Sequence, residues 1–226
     1  MTLTGPVVYY PSIHSTQDEA RKILDGIHWT TDQTAGRGRF DRKWHSEPGQ
    51  SLAVSIAFPA YKGFERPYLI SMWMCLGLAE EFGLKIQWPN DLVLNRKKVS
   101  GVLTEVIEGV PIVGIGINIG RMTFPDDLAL RATSFANEDH LLTTPEAVFE
   151  RFMRVIGSLE EVPREWSGIA SKWQEFDETA GKIFRLHDGR VGTAIGISDE
   201  GELIWDQSGQ QERVPFAEAL WGPNSQ

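Results

Sequence analysis

The sequence predicts an α+β fold followed by a small all-β unit, and three observations carry that prediction. SLAVSIAF, from Ser51 to Phe58, alternates large apolar residues with small ones, which is the period of a strand. Helical stretches stand on either side of closely spaced strand candidates between residues 84 and 120. After Gly181 the texture changes: KIFRLH, RVGTAIGIS, ELIWDQ and QERVPF are separated by Asp188-Gly189, Asp199-Glu200-Gly201 and Ser208-Gly209. Such dense hairpin signals indicate a small antiparallel barrel or sandwich. The chain therefore divides into residues 1–178 and 179–226.

The elements follow in order. Val7 to Tyr10 read as a short strand before Pro11. Thr16 and Glu19 have capping-box spacing and open a helix to about Asp25, stopped by Gly26. Trp29 to Gln33 suit a strand. In SLAVSIAF the second face carries only Ser and Ala, so something packs close there. Pro67 opens a long apolar helix ending near Phe82, with Gly83 as its cap. Leu84–Trp88, Asp91–Asn95 and Val99–Ile107 are strands, with Arg96-Lys97-Lys98 as the turn between the last two. PIVGIGINIG, from Pro111 to Gly120, is a strand with one face almost bare of side chains, which leaves room for a ligand or another backbone. Pro125 to Thr144 is a loop-rich connection. Two helices follow, one opened by Pro145 and one from about Pro163 to Phe176.

Composition narrows the function classes. The 226 residues are 41% hydrophobic with a formal net charge of -9, which argues against a protein that wraps nucleic acid. Yet 7 of the 22 Lys and Arg residues fall in two short runs, Arg37 to Lys43 and Arg96 to Lys98. Charge focused in this way fits a small anionic ligand. Cys75 is the single cysteine, so a disulfide within the chain and a cysteine-based zinc site are both excluded. MTLTGPVVYY lacks the pattern of a signal peptide, and apolar runs stay short of the ~18 residues of a membrane helix, so a cytoplasmic protein away from membranes is expected.

The chemistry concentrates in a few motifs. TAGRGRFDRKW, from Thr34 to Trp44, crowds Arg37, Arg39, Arg42 and Lys43 around Gly36 and Gly38. Glycines admit close backbone approach, and arginines grip carboxylate or phosphate with two prongs. A Walker-type cradle is excluded because no Gly-Lys-Ser/Thr follows, and dinucleotide-binding spacing is absent. In QWPNDLVLNRKKVSGVLTEV, Asn90 and Asp91 follow a proline and Lys98 stands three residues before Gly101. Taken alone, Lys98 reads as an exposed turn lysine; beside ligand it would neutralise carboxylate and phosphate together. Asn118 ends GIGIN, as strand cap or ligand contact. Ser15 and Thr16 open a helix, as caps or as donors to a polar ligand head.

In their order and spacing, STQDEA, DQTAGRGRFDRKW, QWPNDL, KVSGVLTE and GIGIN resemble the biotin protein ligases over about residues 9 to 120. The segment after residue 180 is similar to that family's C-terminal domain. The resemblance implies a catalytic domain of the class II aminoacyl-tRNA synthetase/biotin ligase type with an SH3-like C-terminal barrel. It also implies a two-step ligase that makes biotinyl-5′-AMP from biotin and ATP, with Mg2+ carried by the ATP and no fixed metal site. Biotin is then passed to one lysine of a biotin carboxyl carrier domain, usually of acetyl-CoA carboxylase. Lys98, Arg39, Arg37 and Asp91 match the catalytic positions. Ser15, Thr16, Gln17, Gln33, Gly36, Arg37, Gly38, Arg39, Lys98 and Gly101 match the biotin site, and Arg39, Arg42, Trp44, Asn90, Lys98 and Asn118 the adenylate site.

Two departures from the family pattern stand out. Phe40-Asp41 replaces a loop position where the family has glycine, which implies weaker retention of the adenylate with synthesis intact. Asp41→Gly then slows adenylate dissociation; an unchanged off-rate removes the idea. The first motif begins at about residue 12, which leaves no room for the helix-turn-helix some relatives carry, so DNA binding is not expected. A monomer and a homodimer fit equally. Two other readings share the motifs: a lipoate ligase of the same superfamily, and a non-catalytic binder of biotin or its adenylate.

Overall fold

The computed structural model describes residues 5–158, 168–186, 188–215 and 219–220. In chain order its elements are β1 (Val7–Tyr10), α1 (Thr16–Ile23), β2 (Ile27–Thr30), β3 (Ser51–Ala57), α2 (Tyr68–Phe82), β4 (Lys85–Gln87), β5 (Asp91–Leu94), β6 (Lys97–Ile107) and β7 (Val110–Asn118). Then come α3 (Asp126–Ala129), α4 (Pro145–Ser158), α5 (Ile169–Phe176), β8 (Ile183–Leu186), β9 (Val191–Ile197), β10 (Leu203–Gln207), β11 (Gln210–Val214) and β12 (Ala219–Leu220).

Seven strands form a mixed sheet in the order β1-β2-β3-β7-β6-β5-β4, in which only the β1–β2 pair is parallel. α2 is buried along nearly its whole length against one face and supplies Leu69, Met72, Cys75 and Leu78 to the core. β3 is buried on both faces, and α1 packs on the side that carries Ser55, where Thr16 and Gln17 meet the Ser55 hydroxyl. Small side chains there let the helix approach closely. Burial raises the pKa of the Cys75 thiol well above its ordinary value, which leaves it inert.

Local chemistry explains where several elements depart from the sequence reading. α1 is N-capped by Ser15 in extended conformation, not by Thr16, and no side-chain capping bond forms. Glu19 pairs with Lys22 at 2.6 Å. The helix ends two residues before Asp25, with Leu24 taking the left-handed conformation at φ 53°. β2 begins at Ile27 and ends at Thr30, earlier than the Trp29–Gln33 reading. The turn between β5 and β6 is Asn95-Arg96, both left-handed at φ 49° and 66°, the geometry of a two-residue hairpin. Lys97 and Lys98 therefore belong to β6, not to the turn. The helix read from about Pro163 begins, among the described residues, at Ile169; residues 159–167 lie outside them.

The C-terminal strands form an antiparallel sheet in the order β11-β10-β9-β8-β12. Its core residues Phe184, Leu203 and Trp205 belong to one continuous cluster with Trp88 and Met72 of the larger unit. Trp88 anchors the junction: its indole N–H donates to the Gly201 carbonyl at 2.9 Å and its ring meets Phe184 edge-on. Tyr68 donates to the Glu200 carbonyl at 3.0 Å. The Asp199-Glu200-Gly201 turn is thus seated on the start of α2, directly behind the strand that leads into Asn90 and Asp91.

Candidate active site

β3, β7 and β6 lie side by side, and their cross-strand partners make a floor. Ala53 faces Gly116 and Gly116 faces Gly101, while Ser55 faces Gly114. None of these glycines has a positive φ, so close approach explains them. A Cβ on Gly116 would stand 2.5 Å from the Trp44 ring. One on Gly101 would stand 2.9 Å from Lys98 Nζ and 3.2 Å from Trp44, and one on Gly114 would stand 2.7 Å from Gln17 Oε1. The bare face is filled by side chains reaching over it from elsewhere.

Lys98 arrives on this face through a β-bulge. The register runs Asp91–Gly101, Leu92–Ser100, then Val93–Lys98, so Val99 is the extra residue. In a regular strand, residues three apart point to opposite faces; the bulge turns Lys98 to the side of Gly101. There its ammonium lies 2.6 Å from Asp91 Oδ1 and 5.6 Å from the centre of the Trp44 ring. Asp91 is 3% exposed, so Lys98 supplies the charge that its carboxylate lost from water.

The wall opposite is the start of α1. Gln33 Oε1 accepts from the Thr16 N–H at 3.0 Å and from the Thr16 hydroxyl at 3.3 Å. The Thr16 and Ser55 hydroxyls meet at 2.8 Å, and Ser55 donates to Gln17 Oε1 at 2.8 Å. Gln17 Nε2 donates to the Ile112 carbonyl at 3.3 Å. Both ends of the Gln17 amide are thus committed to the scaffold. Gly36 lies under the Gln33 amide, where a Cβ would stand 2.6 Å from Gln33 Nε2.

The basic loop closes the site as a ring. Trp44 N–H donates to the Gly36 carbonyl at 3.0 Å, Arg37 and Lys43 bridge antiparallel, and Gly38 N–H donates to the Arg42 carbonyl at 2.8 Å. The left-handed residue at its tip is Phe40, at φ 57°. The Arg39 guanidinium lies 4.8 Å from the Phe40 ring centre. Burial pushes the Arg39 pKa down to about 10, against the pull of Asp91 and with help from Arg42, so the group is still charged at neutral pH. Arg37 turns away to α1, where its fork meets Asp18 at 2.6 and 3.2 Å.

Together these walls enclose a cavity of about 980 Å³, roomy enough for a nucleotide-sized ligand. Every site residue read from the sequence lines it except Gly36, which supports the loop from behind. The lining also includes Ser55, His45, Phe124, Asp127 and Arg131, which motif reading missed. The small second face of SLAVSIAF was the available signal for Ser55. The segment around Phe124 and Arg131 carries no pattern that announces it. A shallower depression of about 480 Å³ around Arg121, Asp139 and His140 gathers no comparable set of groups.

Four buried polar atoms of cavity-lining residues have no hydrogen-bond partner among the described residues: the Trp44 indole nitrogen, His45 Nε2, Asp91 Oδ1 and Asn118 Oδ1. Of these, Asp91 Oδ1 is met by the Lys98 ammonium and His45 Nε2 lies 3.7 Å from Glu47. Asn118 is fixed from its other side, where Nδ2 donates to the Thr133 carbonyl at 3.0 Å. Asn90 is tied to the backbone of β6 through Val102. Among the described residues no cluster of three or more metal-ligating side chains occurs. The arrangement can take a polar head at α1, an apolar ring over the glycines, and anionic groups between Arg39 and Lys98.

Comparison with known proteins agrees with this geometry. Residues 11–121 match the Biotin/lipoate A/B protein ligase family. The bifunctional ligase/repressor BirA of Bacillus subtilis (strain 168) is 30% identical over 250 residues, covering 96% of this chain and 74% of that protein. The biotin--[acetyl-CoA-carboxylase] ligase of Paracoccus denitrificans is 28% identical, covering 92% of this chain and 97% of that protein. In fold, the biotin protein ligase from Aquifex aeolicus in complex with biotin and ATP superimposes with a TM-score of 0.77 at 23% identity, covering 95% of this chain and 97% of that one.

Proposed function

This chain belongs to the biotin/lipoate A/B protein ligase family, and we propose that the cavity carries out the two steps of a biotin protein ligase. The observation that carries the reading is the bulge-placed Lys98, held by Asp91 on a glycine floor, in the same cavity as the half-buried cation of Arg39. Two anions must meet there, and two fixed positive charges lower their repulsion.

In the first step a carboxylate oxygen of biotin attacks the α-phosphorus of ATP. The bond to the β-phosphate bridging oxygen breaks and pyrophosphate leaves. Arg39 and Lys98 stabilise the charge on the α-phosphoryl oxygens, and Asn118 Oδ1 and the Trp44 indole N–H offer the adenylate hydrogen bonds they lack within the protein. Arg42, Asn90 and Trp44 complete the adenylate side. Ser15, Thr16 and Gln33 face the ureido ring, with Gln17 and Gly36 holding them in place. Magnesium would enter on the triphosphate, and Asp91 is a cavity carboxylate that would help to organise it. In the second step the amine of an acceptor lysine attacks the acyl carbon. An amide forms, the acyl–phosphate C–O bond breaks, AMP leaves, and the amine, oriented by Asp91, releases its proton to solvent.

The acceptor is the biotin carrier of a carboxylase, by likeness to the Paracoccus denitrificans enzyme. Residues 179–226 form a small β unit that shares in closing the ATP or acceptor side, with its core continuous with that of the larger unit. Of the two activities in the Bacillus subtilis relative's name, only the ligase is carried over here. The net charge of -9, with positive charge drawn toward the cavity, argues against a DNA surface.

Pyrophosphate–ATP exchange tests the reading. Exchange that depends on biotin is the expected result. Exchange that depends on lipoate instead transfers the same chemistry to the other acid of the family. No exchange with either acid overturns the enzyme reading and leaves a binder.

A further inference from the structure

Arg37 was expected to face the ligand, yet its fork is spent on Asp18, the third residue of α1. Two hydrogen bonds, at 2.6 and 3.2 Å, join the guanidinium to both carboxylate oxygens. That planar two-pronged pairing fixes direction as well as distance. Asp18 is braced in turn. Arg21 lies 3.6 Å from Asp18 Oδ1 and donates from Nε to Glu105 Oε2 at 3.1 Å, with a second bond to the other Glu105 oxygen. Glu105 stands on β6, the strand that presents Lys98 and Gly101. A chain of four charges thus runs from the loop through α1 to the sheet.

The loop transmits this grip because its two arms are tied across the neck. The Arg37–Lys43 bridge and the bonds Trp44 to Gly36 and Gly38 to Arg42 make it move as one piece. Fixing Arg37 on one arm therefore sets Arg39 near the tip and Trp44 on the other arm, where the indole covers Gly116 and Gly101. The Arg37 bond holds the Asp18 carboxyl below its usual range, so the pair is fully charged at neutral pH.

We propose that Asp18 is a positioning residue: it latches the basic loop closed through Arg37 and so sets how long the acyl adenylate stays bound. The inference rests on the ligase reading above, in which the adenylate is the species the loop covers. Asp18 touches no reacting atom, since it does not line the cavity.

The test is release of biotinyl-AMP formed in place from labelled biotin and MgATP, followed after a chase of unlabelled biotin. In Asp18→Asn the release rate rises about three- to tenfold, the range of a single partly exposed charge pair, while kcat for exchange stays within about twofold. Asp18→Glu recovers part of the retention. In a double-mutant cycle, Asp18→Asn on top of Arg37→Gln adds nothing further, because one contact is lost only once. Wild-type retention in Asp18→Asn, or additive release in the double variant, overturns the latch. A fall in kcat matched by a fall in thermal midpoint assigns Asp18 to stability instead. Absence of biotin-dependent exchange in the wild-type protein defeats the ligase reading itself, so the two failures are separable.

Discussion

Lys98→Ala slows biotin-dependent pyrophosphate–ATP exchange by about a hundred- to a thousandfold, the cost of one preorganised charge at a developing negative charge. The geometry says why no neighbour substitutes. Arg39 is carried by the loop, while Lys98 is rooted in the sheet by a bulge and held 2.6 Å from Asp91. Removing it also strands a carboxylate that is 3% exposed, and such a group takes up a proton or draws in water. Transfer from preformed biotinyl-AMP to a carrier domain falls in the same variant, because the second step again builds charge on the phosphate as AMP leaves. Lys98→Arg recovers little: a planar fork cannot occupy the place of a compact ammonium that passes close over Gly101. Thermal midpoints within a few degrees of wild type separate lost chemistry from lost folding. Near wild-type exchange in Lys98→Ala removes the residue from the mechanism.

Much of the fold was legible because its elements obey local rules. The alternation in SLAVSIAF, the Gly83 stop and the hairpin signals after Gly181 report conformations set within a few residues. The ordered motifs gathered most of the cavity for the same reason. What the sequence hid depends on contacts across the sheet. Lys98 and Gly101 stand three apart, which local periodicity assigns to opposite faces, and only the pairing with β5 inserts the bulge that unites them. The Arg37–Asp18 pair joins residues nineteen apart through the docking of a loop on a helix. Four positive charges in one loop read as four anion anchors; the structure spends one of them on holding the loop. The bare strand face read as room for a ligand, and part of that room is taken by Trp44 and Gln17.

That bare face yields the second large effect. Gly116→Ala raises the KM for biotin by about 5- to 150-fold, the equivalent of 1–3 kcal/mol of overpacking. Its new methyl carbon would stand 2.5 to 2.8 Å from three atoms of the Trp44 indole, well inside van der Waals contact. An indole is rigid, so relief requires the whole ring to leave the floor, and the loop arm that carries it is tied to Gly36. In the proposed ligase reading, the tetrahydrothiophene ring and alkyl chain are the apolar parts of biotin and share this surface with the indole. A methyl there competes with both. The strand itself tolerates alanine, whose backbone entropy is lower than that of glycine, so the thermal midpoint stays near wild type while KM rises. Gly196→Ala is the matched control, since nothing lies within 4 Å of its Cβ position and its φ is not positive. A wild-type KM in Gly116→Ala would mean that biotin is seated elsewhere in the cavity and that Trp44 yields without cost. The loop would then be a mobile cover, and the glycine at 116 would serve only the packing of Trp44.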